Sequence, residues 1–122
     1  MTQDNGLIRI AAVQMISTPH PAENIATARR LVAQAAQQGA QLVLLPEYWP
    51  IMGMDDVDKV AHAESAGSGP FQAAMAELAR QHDIWLIGGT LPMTAPESGK
   101  VLNTTLVFDP QGNCVCHYDK IH

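Results

Sequence analysis

The chain is poor in positive charge: seven Lys and Arg stand against twelve Asp and Glu in 122 residues, a formal net charge of −5 at pH 7. No basic cluster stands out, and without one a nucleic acid is not an expected partner. Long apolar runs are missing too. None approaches the roughly 20 residues that a membrane helix needs, so no membrane partner is expected. The first six residues, Met1 to Gly6, carry neither a basic start nor an apolar stretch, and no signal peptide is read there. Cysteine is scarce, with two in the chain, which suits a reducing compartment; a cytoplasmic location is expected. Neither GxxxxGKS/T nor GxGxxG occurs, so there is no nucleotide-binding loop. Internal repeats, low-complexity segments and interdomain linkers are also absent.

What is present is the composition of a globular domain, with 47% hydrophobic and 16% charged residues, in a chain long enough for one domain of ordinary size. Its organising stretch is Leu42-Val43-Leu44-Leu45-Pro46-Glu47. Four apolar residues in a row predict a strand buried on both faces. Pro46 lacks the N–H that a ladder needs and should end it. Glu47 then lies just past the carboxyl end of a buried strand, where open α/β sheets place their ligands.

Around that strand the pattern alternates. Residues 7–14 are β-rich and apolar and predict a first strand. Pro19 and Pro21 break it and can open a helix. From Ala22 to Gln38, Ile25, Ala28, Val32 and Ala35 recur at helical spacing, and Gly39 stands where a C′ glycine belongs. Strand, helix and strand with short connections make a parallel βαβ unit. The apolar segment 48–54 shows no period; it either walls a pocket or packs under the next helix. Residues 55–64 read as a short acidic helix. Phe71, Ala74, Met75, Leu78 and Ala79 form a helical stripe that belongs in a core. Residues 84–87 predict a third buried strand, ended by Gly88-Gly89, a pair that permits close backbone approach or an unusual φ. Residues 92–100 read as a polar loop. Two last strands, 103–108 and 114–118, flank Asp109-Pro110-Gln111-Gly112, a type I turn, and should pair antiparallel. The fold class is therefore α/β with a mixed sheet.

Two residues are candidates for chemistry. Glu47 could take a proton from a nucleophile. Lys120, just after the last strand, could stabilise an oxyanion. Spacing does not separate this from an ordinary solvated Glu–Lys ion pair. Cys114 and Cys116, at i and i+2, are expected on the same side of their strand, with no helix N-terminus or cation to activate them. With His117 and His122 they match no common zinc spacing, and no metal site is assigned.

Leu44-Leu45-Pro46-Glu47 followed by an aromatic, together with Asn103, the D-P-x-G turn and the ending Tyr118-Asp119-Lys120-Ile121-His122, resembles the nitrilase superfamily of carbon–nitrogen hydrolases. Residues 10–15 and Gly88-Gly89-Thr90 resemble it as well. The ending is most similar to the branch holding ω-amidase and the amidase of deaminated glutathione. The resemblance implies an αββα sandwich, of which residues 1–122 would be the N-terminal part of a single domain. It implies a Glu–Lys–Cys triad with Glu47 as general base and Lys120 stabilising the tetrahedral intermediate. The nucleophilic cysteine is expected on a strand-to-helix elbow after the lysine, so these 122 residues alone should be inactive. It also implies a small-molecule amide as substrate, no metal or organic cofactor, and a homo-oligomer. Two other readings are a non-catalytic remnant that binds another chain and a small flavodoxin-like binding domain.

Overall fold

A computed structural model describes residues 6–52, 56–97 and 99–120. The elements run β1 (Ile10–Ala12), α1 (Pro21–Gln37), β2 (Leu42–Leu44), α2 (Asp56–His62), α3 (Pro70–His82), β3 (Trp85–Ile87), β4 (Leu91–Thr94), β5 (Val101–Phe108) and β6 (Cys114–Asp119). β1, β2 and β3 are parallel neighbours, with Ala11, Val43 and Leu86 in register across them. β3 then pairs antiparallel with β5, and β5 carries β4 and β6, also antiparallel. The parallel βαβ start, the closing hairpin and the helical periodicities agree with the sequence reading. A flavodoxin-like sheet would have continued in parallel; this one does not.

The sheet has one covered face. The strands run in the order β1-β2-β3, and α1 and α3, which lie in the connections between them, pack together on one side of the sheet. There Ala28 and Val32 of α1 meet Phe71, Met75 and Leu78 of α3 over Val43 and Leu86. The opposite face corrects the expectation of a strand buried on both sides. Because side chains alternate along a strand, Ile10, Leu44 and Trp85 point away from the helices and are 63%, 41% and 43% exposed. Among the described residues no helix packs over them.

The segment after β2 resolves largely in favour of packing, with Tyr48 half-buried and Met52 exposed. Trp49 and Ile51 are buried, and the Trp49 ring meets Phe71 edge-on with centroids 6.1 Å apart. The buried Asn24 ties this loop down, donating from Nδ2 to the carbonyls of Thr18 and Pro50 at 2.7 and 2.9 Å. Tyr48 stays nearer the surface. Met54, also in that segment, lies outside the described residues.

β4 is the element the sequence reading missed, having taken residues 92–100 as a polar loop. Proline is tolerated on an edge strand, and β4 is one: β5 pairs one side, and among the described residues the other side is paired by no strand, just by an isolated bridge from Glu64. Glu64 is itself buried, and its carboxylate caps α3 from a distance. The Phe71 N–H donates to Oε2 at 2.6 Å, and the Gln72 N–H and Nε2 both donate to Oε1 at 3.1 Å. The N-cap residue, Gly69, has no side chain to do this. A carboxylate there satisfies orphan donors and suits the helix dipole. Glu64→Ala is expected to cost about 2 kcal/mol of stability, read as a lower urea midpoint, with Glu64→Gln losing less. An unchanged midpoint in the alanine variant would remove this cap from the account.

Candidate active site

β2 leaves the sheet abruptly. The Leu45 N–H still donates to the Ile87 carbonyl at 2.9 Å, but Pro46 has no N–H to offer. Two residues on, Tyr48 takes a left-handed conformation with φ 52°, rare for a bulky residue. Its N–H donates to Thr90 Oγ1 at 2.9 Å. The turn delivers Glu47 beyond the strand end.

Lys120 arrives from the other direction, immediately after β6. Its N–H donates to the Asn103 carbonyl at 2.7 Å, so the residue is still anchored to β5. Beside it, Thr104 Oγ1 donates to Asp119 Oδ1 at 2.7 Å. The two candidates thus meet: Lys120 Nζ donates to Glu47 Oε2 at 2.8 Å across 73 residues of sequence. Their side chains are about half exposed, 45% for Lys120 and 54% for Glu47. An ion pair so open to water contributes little to stability.

The pair lies in a depression of about 500 Å³ whose wall includes Tyr48, Lys59, Lys100 and Asn103. The Lys59 ammonium sits 4.5 Å above the Tyr48 ring centre, within cation–π range. The hydrogen bond that Lys120 donates to Glu47, and then the Glu47 charge, raise the Lys120 pKa above the ordinary lysine value. Lys120 therefore stays an ammonium at neutral pH, next to a carboxylate. That arrangement can move a proton through one group while the other holds developing negative charge. The sequence reading gave no role to Lys59, and it saw Thr90 and Asn103 only as parts of motifs; their nearness to Glu47 depends on strand register, which composition and spacing do not reveal.

The cysteines are arranged differently from expectation. The pairing of β5 with β6 shifts register between Val107 and Phe108, so Cys116 lies opposite Val107 while Cys114 lies opposite Phe108. This bulge puts the two on opposite faces, not on one side of the strand. Both are free thiols. Cys114 is exposed overall, yet partial desolvation of its thiol is the largest influence and pushes its pKa up, away from the reactive thiolate. His122 of the rejected zinc grouping lies outside the described residues. A larger depression, about 670 Å³ between α3 and β5–β6, contains Cys114, His117 and Asp119 but neither Glu47 nor Lys120. None of the described helices is long and apolar enough to cross a membrane.

Known proteins resemble this chain in sequence and in fold. A family model described as carbon-nitrogen hydrolase matches residues 9–122. A deaminated glutathione amidase of Yersinia enterocolitica is 33% identical over 93% of this chain and 39% of its own length. An omega-amidase of Xenopus tropicalis is 33% identical over 93% of this chain and 40% of its own length. Among solved structures, a Saccharomyces cerevisiae member of branch 10 of the nitrilase superfamily superimposes with a TM-score of 0.83 at 26% identity, covering 94% of this chain and 44% of that one. The chain thus spans about two fifths of the length of the curated relatives it matches, and its helix-covered sheet corresponds to part of their αββα fold. On the match over residues 9–122, the chain belongs to the carbon-nitrogen hydrolase family.

Proposed function

We propose that the protein containing this chain hydrolyses a small amide through a cysteine thioester, with Glu47 as general base and Lys120 as the oxyanion-stabilising cation. The observation that carries this reading is the 2.8 Å contact between Lys120 Nζ and Glu47 Oε2 at the edge of an open depression, in a chain of the carbon-nitrogen hydrolase family. The nucleophile in this reading is a cysteine outside residues 1–122. Cys114 and Cys116 sit on an exposed strand, and neither lines the depression around Glu47.

The chemistry follows from the two groups. Glu47 takes the proton of the thiol, and the thiolate attacks the amide carbon, forming a C–S bond as the carbonyl electrons move to oxygen. The Lys120 ammonium donates to that oxyanion. The intermediate collapses as Glu47 returns its proton to the nitrogen, the C–N bond breaks and ammonia leaves. Glu47 next deprotonates a water, which attacks the thioester. Collapse of the second intermediate releases the carboxylic acid, and the thiol recovers its proton from Glu47.

The test is a panel of ω-amides of short dicarboxylic acids and deaminated glutathione, given to the full-length protein. One ammonia and one new carboxylate per turnover are expected. Acid-quenched samples should also gain the mass of one acyl group. Turnover without any covalent adduct, even in rapid-quench samples, would remove the thioester from the mechanism; no ammonia from any amide would remove the activity.

A further inference from the structure

Behind Glu47 lies an irregularity in the sheet. β3 and β4 run along the same side of β5, both antiparallel to it. Ile87 stands opposite Val107, yet Leu91 stands opposite Thr104. Residues 88–90 therefore face only Thr105 and Leu106: three residues oppose two, which defines a bulge. The bulge is fastened to β5, since the Gly88 N–H donates to the Leu106 carbonyl at 2.8 Å and Thr105 Oγ1 donates to the Gly89 carbonyl at 2.5 Å. Its free side presses on the exit of β2. A Cβ at Gly89 would lie 1.9 Å from the Pro46 carbonyl oxygen and 2.4 Å from that of Leu45. Thr90, the next residue, accepts the hydrogen bond of the Tyr48 N–H.

We infer that Thr90 is a positioning residue: through the Tyr48 N–H it holds the left-handed turn that aims the Glu47 carboxylate at Lys120. This rests on the role of Glu47 proposed above. A left-handed tyrosine is intrinsically unfavourable, so the turn persists because its surroundings hold it, and Thr90 Oγ1 is the acceptor placed to do so. Half-exposed Glu47 is not locked by core packing. An error in the backbone at Tyr48 therefore passes directly to the carboxylate, and misplacement of a reacting group by about 1 Å can cost a hundredfold in rate. The bulge explains how a threonine just past the end of β3, the direct neighbour of β2, reaches this N–H: the extra residue carries Thr90 toward the end of β2.

The test compares Thr90→Val, Thr90→Ser and Glu47→Gln in the full-length protein. Thr90→Val keeps the shape and removes the acceptor. Its kcat should fall about a hundredfold with KM within about threefold, and Thr90→Ser should restore kcat to within about threefold of the parent. The pH profile supplies a second readout. Glu47, Tyr48, Lys59 and Lys100 line the same depression as Lys120, and the Lys120 pKa is held up chiefly by Glu47. A loosened pair should move the alkaline limb of kcat/KM to lower pH, which a mere loss of folded protein would not do. Should Thr90→Val fail to fold, Thr90→Ala is read in the same way. A kcat within threefold of the parent in the folded variant overturns the inference. So does an alkaline limb that stays in place while Thr90→Ser is as impaired as Thr90→Val. An inactive Glu47→Gln beside an active Thr90→Val refutes the Thr90 role alone; an active Glu47→Gln refutes the catalytic reading itself.

Discussion

Glu47→Gln is expected to lower amide turnover in the full-length protein by about a thousandfold, the range of a lost general base, and to leave thermal stability almost unchanged. Glutamine keeps the size and a hydrogen-bonding oxygen but cannot accept the proton of a thiol or a water. The ion pair it replaces is half exposed, and such pairs contribute little to folding. Lys120→Ala should lose about a hundredfold or more through the unassisted oxyanion, again with the fold intact. The raised Lys120 pKa gives this a pH signature. A cation whose pKa is higher in the folded state keeps its favourable contact below the unfolded pKa and loses it as pH rises through the folded one. Activity that depends on the ammonium should therefore survive mildly alkaline conditions and fail above the ordinary lysine range. Near-parental kcat/KM in either variant would sink the assignment of roles.

Gly89→Ala is expected to be the most damaging small substitution for the fold. Two costs combine. The residue has φ +52°, a left-handed conformation that alanine takes up unwillingly. The added methyl would also collide with two backbone carbonyls, which cannot swing aside as a flexible side chain does. Together these amount to about 3 kcal/mol or more. Gly99→Ala separates the two effects: Gly99 has φ +77° but nothing within 4 Å of its Cβ position, so it should lose only the conformational part, about 1 kcal/mol. Matching chemical-denaturation midpoints for the two variants would show that the close approach at Pro46 does not constrain the fold.

The sequence disclosed what is local and hid what depends on register. The α1 and α3 stripes were legible because a 3.6-residue period reports directly which side chains face a core. Asp109-Pro110-Gln111-Gly112 was legible because a turn is specified by its own residues: the Gly112 N–H donates to the Asp109 carbonyl at 2.8 Å. β4 was hidden because Pro92 speaks against a strand unless one knows it lies on an edge. Both bulges were hidden, and they matter most: one separates Cys114 from Cys116, the other brings Thr90 to Tyr48. Two-sided burial of β2 was overread because an apolar run does not say whether its second face is covered within the residues at hand. As for Glu47 and Lys120, spacing left them an ordinary pair; the family resemblance singled them out, and the sheet brings them to 2.8 Å.

The long sequence intervals at the site have a further meaning for how the molecule acquires it. Glu47 finds Lys120 across 73 residues, and Tyr48 finds Thr90 across 42. Helices such as α1 form from neighbours within one turn, whereas these contacts need loops closed over a large part of the chain, at an entropic cost that local structure does not bear. No short segment contains the geometry in miniature. During synthesis Glu47 leaves the ribosome long before its partners exist, and until β2, β3 and β5 have joined it is a carboxylate in a flexible chain. The charge pair is thus a marker of completed topology, present only once the most distant strands have found one another.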